Sequence, residues 1–199
     1  MKRTNTRDRL IQVGKEIIAK HGFKAASLNE ILTAAGVPKG SFYYYFASKE
    51  DFGLAIVDDF AREYRNRFER ILGDSQYSPI TRLRNYFELK ITDMADCGCT
   101  DGCLIGNLAQ ELSAQNEIFR HRLDRVFAEW EQYFSRCLQA ASEAGEITGD
   151  RYSYDSLAKF ILSSWEGAIL QAKVTKSVVP MKTFVDVLFT QVLVKSPSS

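Results

Sequence analysis

The sequence predicts an all-α protein. Apolar residues recur three and four apart along one segment after another, the spacing that lines one face of a helix. Gly, Pro, Ser and Asp gather between those segments, where caps and turns belong. Strand-like character is confined to VDVLFTQVLV near the C-terminus, whose β-branched residues leave it ambiguous.

Each element has a local reason. Leu10, Val13, Ile17 and Ile18 mark a first helix, capped by Thr4 or Asn5 and ending near His21-Gly22. Ser27 and Glu30 form an S-x-x-E capping box for a second, the hydroxyl satisfying an orphan N–H while the carboxylate reaches back. Leu28, Ile31, Leu32 and Ala35 give that helix one apolar face. Gly36 permits a sharp turn, and Pro38 suits the opening of a third helix. There Phe42 and Phe46 anchor inward, leaving Lys39, Ser41, Tyr43, Tyr44 and Tyr45 outward. Ser48, with Asp51 at the third position, caps a long fourth helix over Lys49–Leu72. Pro79 opens a fifth, and the CGCTDG loop leads into a sixth over Cys103–Ser113. A seventh spans about Asn116–Ala144 and stops at Gly145. After the polar turn TGDRYS, Ser153 caps an eighth through Lys176, and Pro180 begins the ninth. Trp130, Trp165, Tyr86, Phe119, Phe127 and Cys137 read as core.

A chain of 199 residues holds one large or two small domains, and 45% hydrophobic content is ample for a core. The net charge of +1 conceals an asymmetry. Residues 1–50 carry nine Lys/Arg against four Asp/Glu, a balance of +5, which leaves −4 for the rest. A basic N-terminal module on a mildly acidic body suggests nucleic acid at one end. Lys2 and Arg3 either add phosphate contacts or belong to a solvated tail. The N-terminus has no apolar signal core, and no apolar run approaches the roughly 20 residues a membrane span requires. The expectation is a cytoplasmic protein with no membrane partner, whose four cysteines are thiols and not a disulfide framework.

Residues 27–49 therefore read as a helix-turn-helix with residues 39–45 as its recognition helix. Lys39 is placed to reach a base edge, and tyrosine hydroxyls can donate to phosphate oxygens. Lys49 adds a cation beside the N-terminus of the fourth helix. The competing reading is that the tyrosines only pack between small helices; the two phenylalanines, however, already fill the inward positions.

The motif CGCTDGC carries Cys97, Cys99 and Cys103 and leaves three readings open. The cysteines are small apolar packing residues. Or they bind metal, although CxCxxxC lacks paired C-x-x-C spacing and neither His21 nor His121 has a claim as fourth ligand. Or Cys103 is a reactive thiol: with Asp101 or Gly102 as cap it falls in the first turn of the sixth helix, where the dipole favours a thiolate. In that case Asp101 partly opposes the dipole, and Cys97 or Cys99 becomes a resolving partner. Glu166, beside Trp165, is either a polar contact in a pocket of the body or an exposed or interface carboxylate. The chain lacks a nucleotide-binding glycine loop, GxSxG and HExxH, and a thiol oxidoreductase would want C-x-x-C at a helix start. Neither a cofactor nor a metal is expected.

The block SLNEILTAAGVPKGSFYYYFASKE resembles the DNA-binding head of TetR-family transcriptional repressors, over residues 5 to about 50. The resemblance implies a helix-turn-helix domain at 1–48 and a ligand-binding and dimerising bundle at 49–199. It makes Lys39, Gly40, Ser41 and Tyr44 candidates for base or groove contact, and Ser27, Tyr43, Tyr45 and Lys49 for phosphate contact. Asn29 occupies a position that sometimes reads a base. It also implies a homodimer joined through about 153–176 and 180–195, where Phe160, Ile161, Trp165, Ile169, Phe184, Val187, Phe189 and Val192 exceed what one inward stripe needs. Such a dimer binds a palindromic operator in double-stranded DNA and is released when a small-molecule inducer in the body shifts the fourth helix. The segments GCLIGNLAQEL and WEGAILQAK are similar to one branch of the family, repressors responding to acrylate-type or quinone and N-ethylmaleimide-type electrophiles. That likeness implies sensing at Cys103, activated by Lys173; on the reading of the residues themselves, Trp165 and Glu166 are candidates to line a pocket in the body. A noncovalent inducer with structural cysteines is the alternative, and a thiol-dependent enzyme is the alternative of another class.

Overall fold

The computed structural model describes residues 5–147 and 152–193. Those residues form nine α-helices and a closing π-helical turn: α1 Thr6–His21, α2 Leu28–Ala35, α3 Lys39–Tyr45, α4 Lys49–Leu72, α5 Pro79–Asp96, α6 Leu104–Leu112, α7 Glu117–Glu143, α8 Tyr154–Thr175, α9 Val179–Val187, then Leu188–Val192. Thr4, the expected tail contacts Lys2 and Arg3, the start of the polar turn before α8, and residues 194–195 of the expected ninth helix lie outside the described residues.

The ends are set by the expected chemistry. Asn5 caps α1, its side chain accepting from the Arg7 N–H. The Ser27 hydroxyl accepts from the Glu30 N–H at 3.1 Å. The Glu30 carboxylate lies 3.9 Å from the His21 ring. Gly36 ends α2 at φ 60°, a left-handed conformation that suits glycine. Ser48 accepts from Asp51 N–H at 3.0 Å, while Asp51 accepts from Ala47 N–H at 3.0 Å, so the α4 cap is reciprocal. The ninth helix departs from expectation after Val187: the Leu193 N–H donates to the Leu188 carbonyl, five residues back, at 2.8 Å. In an α-helix five residues turn about 140° past a full turn. The wider π turn brings the two leucines closer to one face, and both are buried.

The residues pack as two compact units. One comprises the chain up to Glu63 together with Leu104–Arg125; the other comprises Tyr64–Cys103 and the chain from Val126 onward. The dividing points fall inside α4 and α7, and α6 belongs to the first unit.

In the first unit, Phe42, Phe46 and Phe52 are fully or nearly fully buried, with ring centroids 4.9–5.4 Å apart. Burying one such side chain stabilises by roughly 1.5–3 kcal/mol, which is what holds so short a helix as α3. Lys15 ties α1 to α4 through Asp59 at 2.9 Å and Glu63 at 2.6 Å. A side chain at Gly53 would meet the Phe23 ring at 2.4 Å and the Phe119 ring at 2.7 Å, so only glycine allows that approach.

The second unit is built on aromatic rings. Phe68 stacks with Tyr86 at 4.9 Å and with Tyr133 at 5.0 Å. Trp165 meets Phe87 at 4.8 Å and Phe184 at 5.2 Å. Arg67 and Asp93 pair at 2.6 Å. Among the described residues, no helix is long and apolar enough to cross a membrane.

Candidate functional site

The outward face of α3 is the first candidate. Pro38 sits at the cap with φ −61°, and Phe42 and Phe46 turn one side of the helix into the core. Tyr43 is 54% and Tyr44 83% exposed. Lys39 and Gly40 are exposed, Ser41 and Tyr45 half-buried. The Tyr44 and Tyr45 rings meet edge to face at 5.0 Å, which restrains the first of them. Ser27 and Asn29 lie exposed at the start of α2. Lys49 is differently placed from a free surface cation. Its ammonium donates to the Lys24 carbonyl at 3.2 Å and lies 5.0 Å over the Phe23 ring. Partial burial pulls it below the ordinary lysine range, with Glu111 acting the other way. Apart from Lys49, the face presents hydroxyls and a cation with no acid in α3, a surface suited to a phosphate backbone.

Behind the helix-turn-helix lies a contact that local sequence patterns do not signal. The Glu111 carboxylate, on α6, accepts from the backbone N–H groups of Phe23 and Lys24, both at 2.7 Å. Those two residues begin the link between α1 and α2. Gly22, at φ 82°, lets the carboxylate approach: a Cβ there would stand 2.9 Å from Oε2. The Lys24 ammonium also donates to Gln115. α6 is thus fastened to the helix-turn-helix within the first unit.

The second candidate is a buried polar cluster in the second unit. The loop Cys97–Cys103 is tightly turned, with positive φ at Gly98, Cys99 and Gly102. Lys176 donates to the Cys99 carbonyl at 3.4 Å and Lys173 to the Asp101 carbonyl at 3.5 Å. Cys103 is 6% exposed, and its thiol is hydrogen-bonded to the Glu166 carboxylate of α8. Burial raises the Glu166 carboxyl to about 7, against the opposing pull of the thiol and of Lys90. Burial lowers Lys90, assisted by Arg67, while Asp93 and Cys103 act the other way. Tyr64 and Tyr86 are pushed well above the ordinary phenol range by burial, with Cys103 and Glu166 adding to it. Burial works against the Asp93 carboxylate, but Lys90 and Arg67 hold it below its usual range.

This arrangement corrects and extends the sequence reading. α6 begins at Leu104, so Cys103 stands just before the helix and not in its first turn; the left-handed Gly102 delays the helical hydrogen bonds. Glu166 is a half-buried partner of the thiol. Lys173 holds the cysteine loop through a backbone carbonyl. Lys90, Tyr64 and Tyr86 are the ionisable neighbours of the thiol; the sequence marks Tyr86 as core and carries no local sign of the other two. Trp165 is core at 2% exposure. Cys137 is core as well: its thiol donates to the Pro79 carbonyl at 3.3 Å, and burial raises it to about 11. The four cysteines are not disulfide-bonded. No group of three or more His, Cys, Asp and Glu side chains is placed to hold a metal among the described residues.

A third feature lies on α8 and α9. Phe160, Val179, Val187 and Val192 are exposed and line an apolar groove of about 520 Å³ with Ala168 and Phe184. Ile161, Trp165 and Ile169, expected in the same surplus, are buried within the unit.

Comparison with known proteins agrees with this organisation. Residues 10–56 match the model of bacterial regulatory proteins of the tetR family, and residues 79–188 that of the tetracyclin repressor-like C-terminal domain. The chain is 36% identical to the HTH-type transcriptional repressor DhaR of Mycobacterium sp. strain GP1, over 97% of this chain and 95% of that one. It is 37% identical to the transcriptional regulator AcuR of Cereibacter sphaeroides, over 88% and 80%. The crystal structure of the reduced form of Escherichia coli NemR superposes with a TM-score of 0.89 at 28% identity, covering 98% of this chain and 100% of that one.

Proposed function

Since the chain belongs to the TetR family of bacterial regulatory proteins, and is thus a helix-turn-helix DNA-binding regulator, we propose that it represses transcription as a homodimer on a palindromic operator and is released by a small electrophile captured at Cys103. One observation carries the DNA half: α3 turns Phe42 inward and presents Lys39, Gly40, Tyr43 and Tyr44 to solvent. Lys39 reads a base edge, with Gly40, Ser41 and Tyr44 lining the groove; Tyr43, Tyr45, Ser27 and Lys49 hold phosphates, and Asn29 approaches a base. For Lys49 this requires its ammonium to leave the Lys24 carbonyl. Residues 1–48 act as the reading domain and 49–199 as the sensing and dimerising domain. The partner is a second copy seated on the α8–α9 groove, since exposed apolar surface of that kind is otherwise costly. Two-fold symmetry then places the recognition helices about 34–36 Å apart. Working on DNA, the protein belongs in the cytoplasm, and it needs no cofactor, metal or catalysis.

The buried thiol with its carboxylate, ammonium and phenol neighbours supports an electrophile as inducer. A noncovalent inducer is the second reading, favoured by the burial of Cys103, which restricts access of a reagent to the sulfur. Release follows only if the inducer favours the unbound conformation. The test is a fluorescence-anisotropy titration on DNA from upstream of its own gene at fixed salt, with and without a reactive acrylate or quinone. Tight binding abolished by the electrophile supports the proposal. Tight binding left intact supports the noncovalent reading, and absence of sequence-specific binding counts against both.

A further inference from the structure

The Cys103 thiol is screened from water, and its hydrogen-bond acceptor is the carboxylate of Glu166. A thiol must lose its proton to act as a strong nucleophile. An isolated buried thiolate is expensive, so the proton has to pass to a neighbouring group. The groups around the pair narrow the choice. From α5 come Lys90, Tyr86 and Asp93; from α4 come Tyr64 and Arg67. Asp93 already accepts from Arg67 at 2.6 Å and from Lys90 at 3.4 Å. Lys90 is already committed to Asp93, and two phenols that burial keeps neutral have no capacity to take another proton.

We propose that Glu166 is the proton acceptor for Cys103, and that the two side chains together form an addition site for α,β-unsaturated carbonyl compounds. This rests on the reading of Cys103 as the sensor and goes beyond it by naming the residue that activates the thiol. The thiol proton passes to a Glu166 carboxylate oxygen as sulfur forms a bond to the β-carbon of the reagent. The π pair of the C=C bond moves toward the carbonyl, giving an enolate. The Glu166 carboxylic acid then returns the proton to the α-carbon, leaving a thioether and a carboxylate. One S–H has added across one C=C, and no oxidant or reductant takes part. The ammonium of Lys90 favours the transient negative charge on sulfur and enolate, and the Tyr64 and Tyr86 hydroxyls, which burial keeps protonated, are donors in the same cluster. Because the productive form pairs a thiol with a carboxylate, the rate follows the ionisation of Glu166, which burial moves close to neutral pH.

The experiment measures adduct formation at Cys103 of the full-length protein with methyl acrylate, by intact mass and peptide mapping, from about pH 5 to about pH 9. The expected wild-type rate rises through neutrality and then levels. Glu166→Gln, nearly isosteric but unable to accept the proton, is expected to react about tenfold or more slowly at neutral pH and to show no levelling there. Retained DNA binding by the variant shows that it is folded; the wild-type profile tests the proposal without any variant. Equal rates and parallel profiles overturn the role of Glu166 while leaving Cys103 as the sensor, and so does a wild-type rate that is flat through neutrality. No adduct at Cys103 in the wild type overturns the sensor reading and this inference together.

Discussion

Glu111→Ala removes the fastening between α6 and the helix-turn-helix, and its cost can be worked from the geometry. Two backbone N–H groups, of Phe23 and Lys24, lose a shared carboxylate that each reaches at 2.7 Å. Hydrogen bonds to a charged group are worth about 1.5–3 kcal/mol each. The Lys24 N–H is exposed and water replaces its partner, whereas the Phe23 N–H is partly buried; together the loss is about 3 kcal/mol. In a chain of this size each kcal/mol moves Tm by about 2–4 °C, so the transition that includes the first unit should fall by roughly 6–12 °C. Glu111→Gln keeps one acceptor oxygen and loses the charge, and should fall between. The assay is thermal unfolding by circular dichroism and calorimetry for all three proteins. An alanine variant that melts within about 2 °C of the wild type would refute the idea that this carboxylate holds α6 to the link between α1 and α2.

Three further outcomes are expected. Cys103→Ser keeps DNA affinity and loses the response to electrophile in an anisotropy competition; release at the wild-type concentration would rule out the thiol switch. Glu166 contributes stability that is fully present below its ordinary value of 4.5 and lost as pH rises through about 7, because the fold holds the proton more tightly than the unfolded chain. Urea unfolding should therefore show wild type losing about 3 kcal/mol relative to Glu166→Gln between low and mildly alkaline pH, and parallel curves would contradict the buried placement. Phe160→Glu puts a charge into the apolar groove on α8 and should weaken dimerisation at least tenfold by sedimentation equilibrium; an unchanged dimer would move the interface elsewhere.

How much could be read from the sequence follows the range of the forces involved. The bounds of α3 are legible to the residue, since Gly36, Pro38, Phe42 and Phe46 mark its ends and inward face within eleven positions. The caps at Asn5, Ser48 and Ser153 are equally local. Cys103 and Glu166 could be singled out as unusual, but their union could not, because sixty-three positions separate them. Lys90 and Tyr64 sit on helices whose polar residues look like ordinary solvated positions until packing half-buries them. Glu111 looks like a surface acid, and only the approach allowed by Gly22 turns it into a clamp. The π turn after Val187 was missed for the opposite reason: the local pattern continues a helix, while burial of both Leu188 and Leu193 favours a wider turn.

The central claim is that α3 reads a two-fold symmetric DNA sequence, and selection from a random duplex pool tests it most directly. Purified wild type should enrich a palindrome whose half-sites lie about one helical turn apart. Lys39→Ala, folded to the same melting temperature, should change the bases preferred in each half-site. A pool that yields no motif, or the same motif with both proteins, would contradict the assignment of α3 and Lys39 as the reading element.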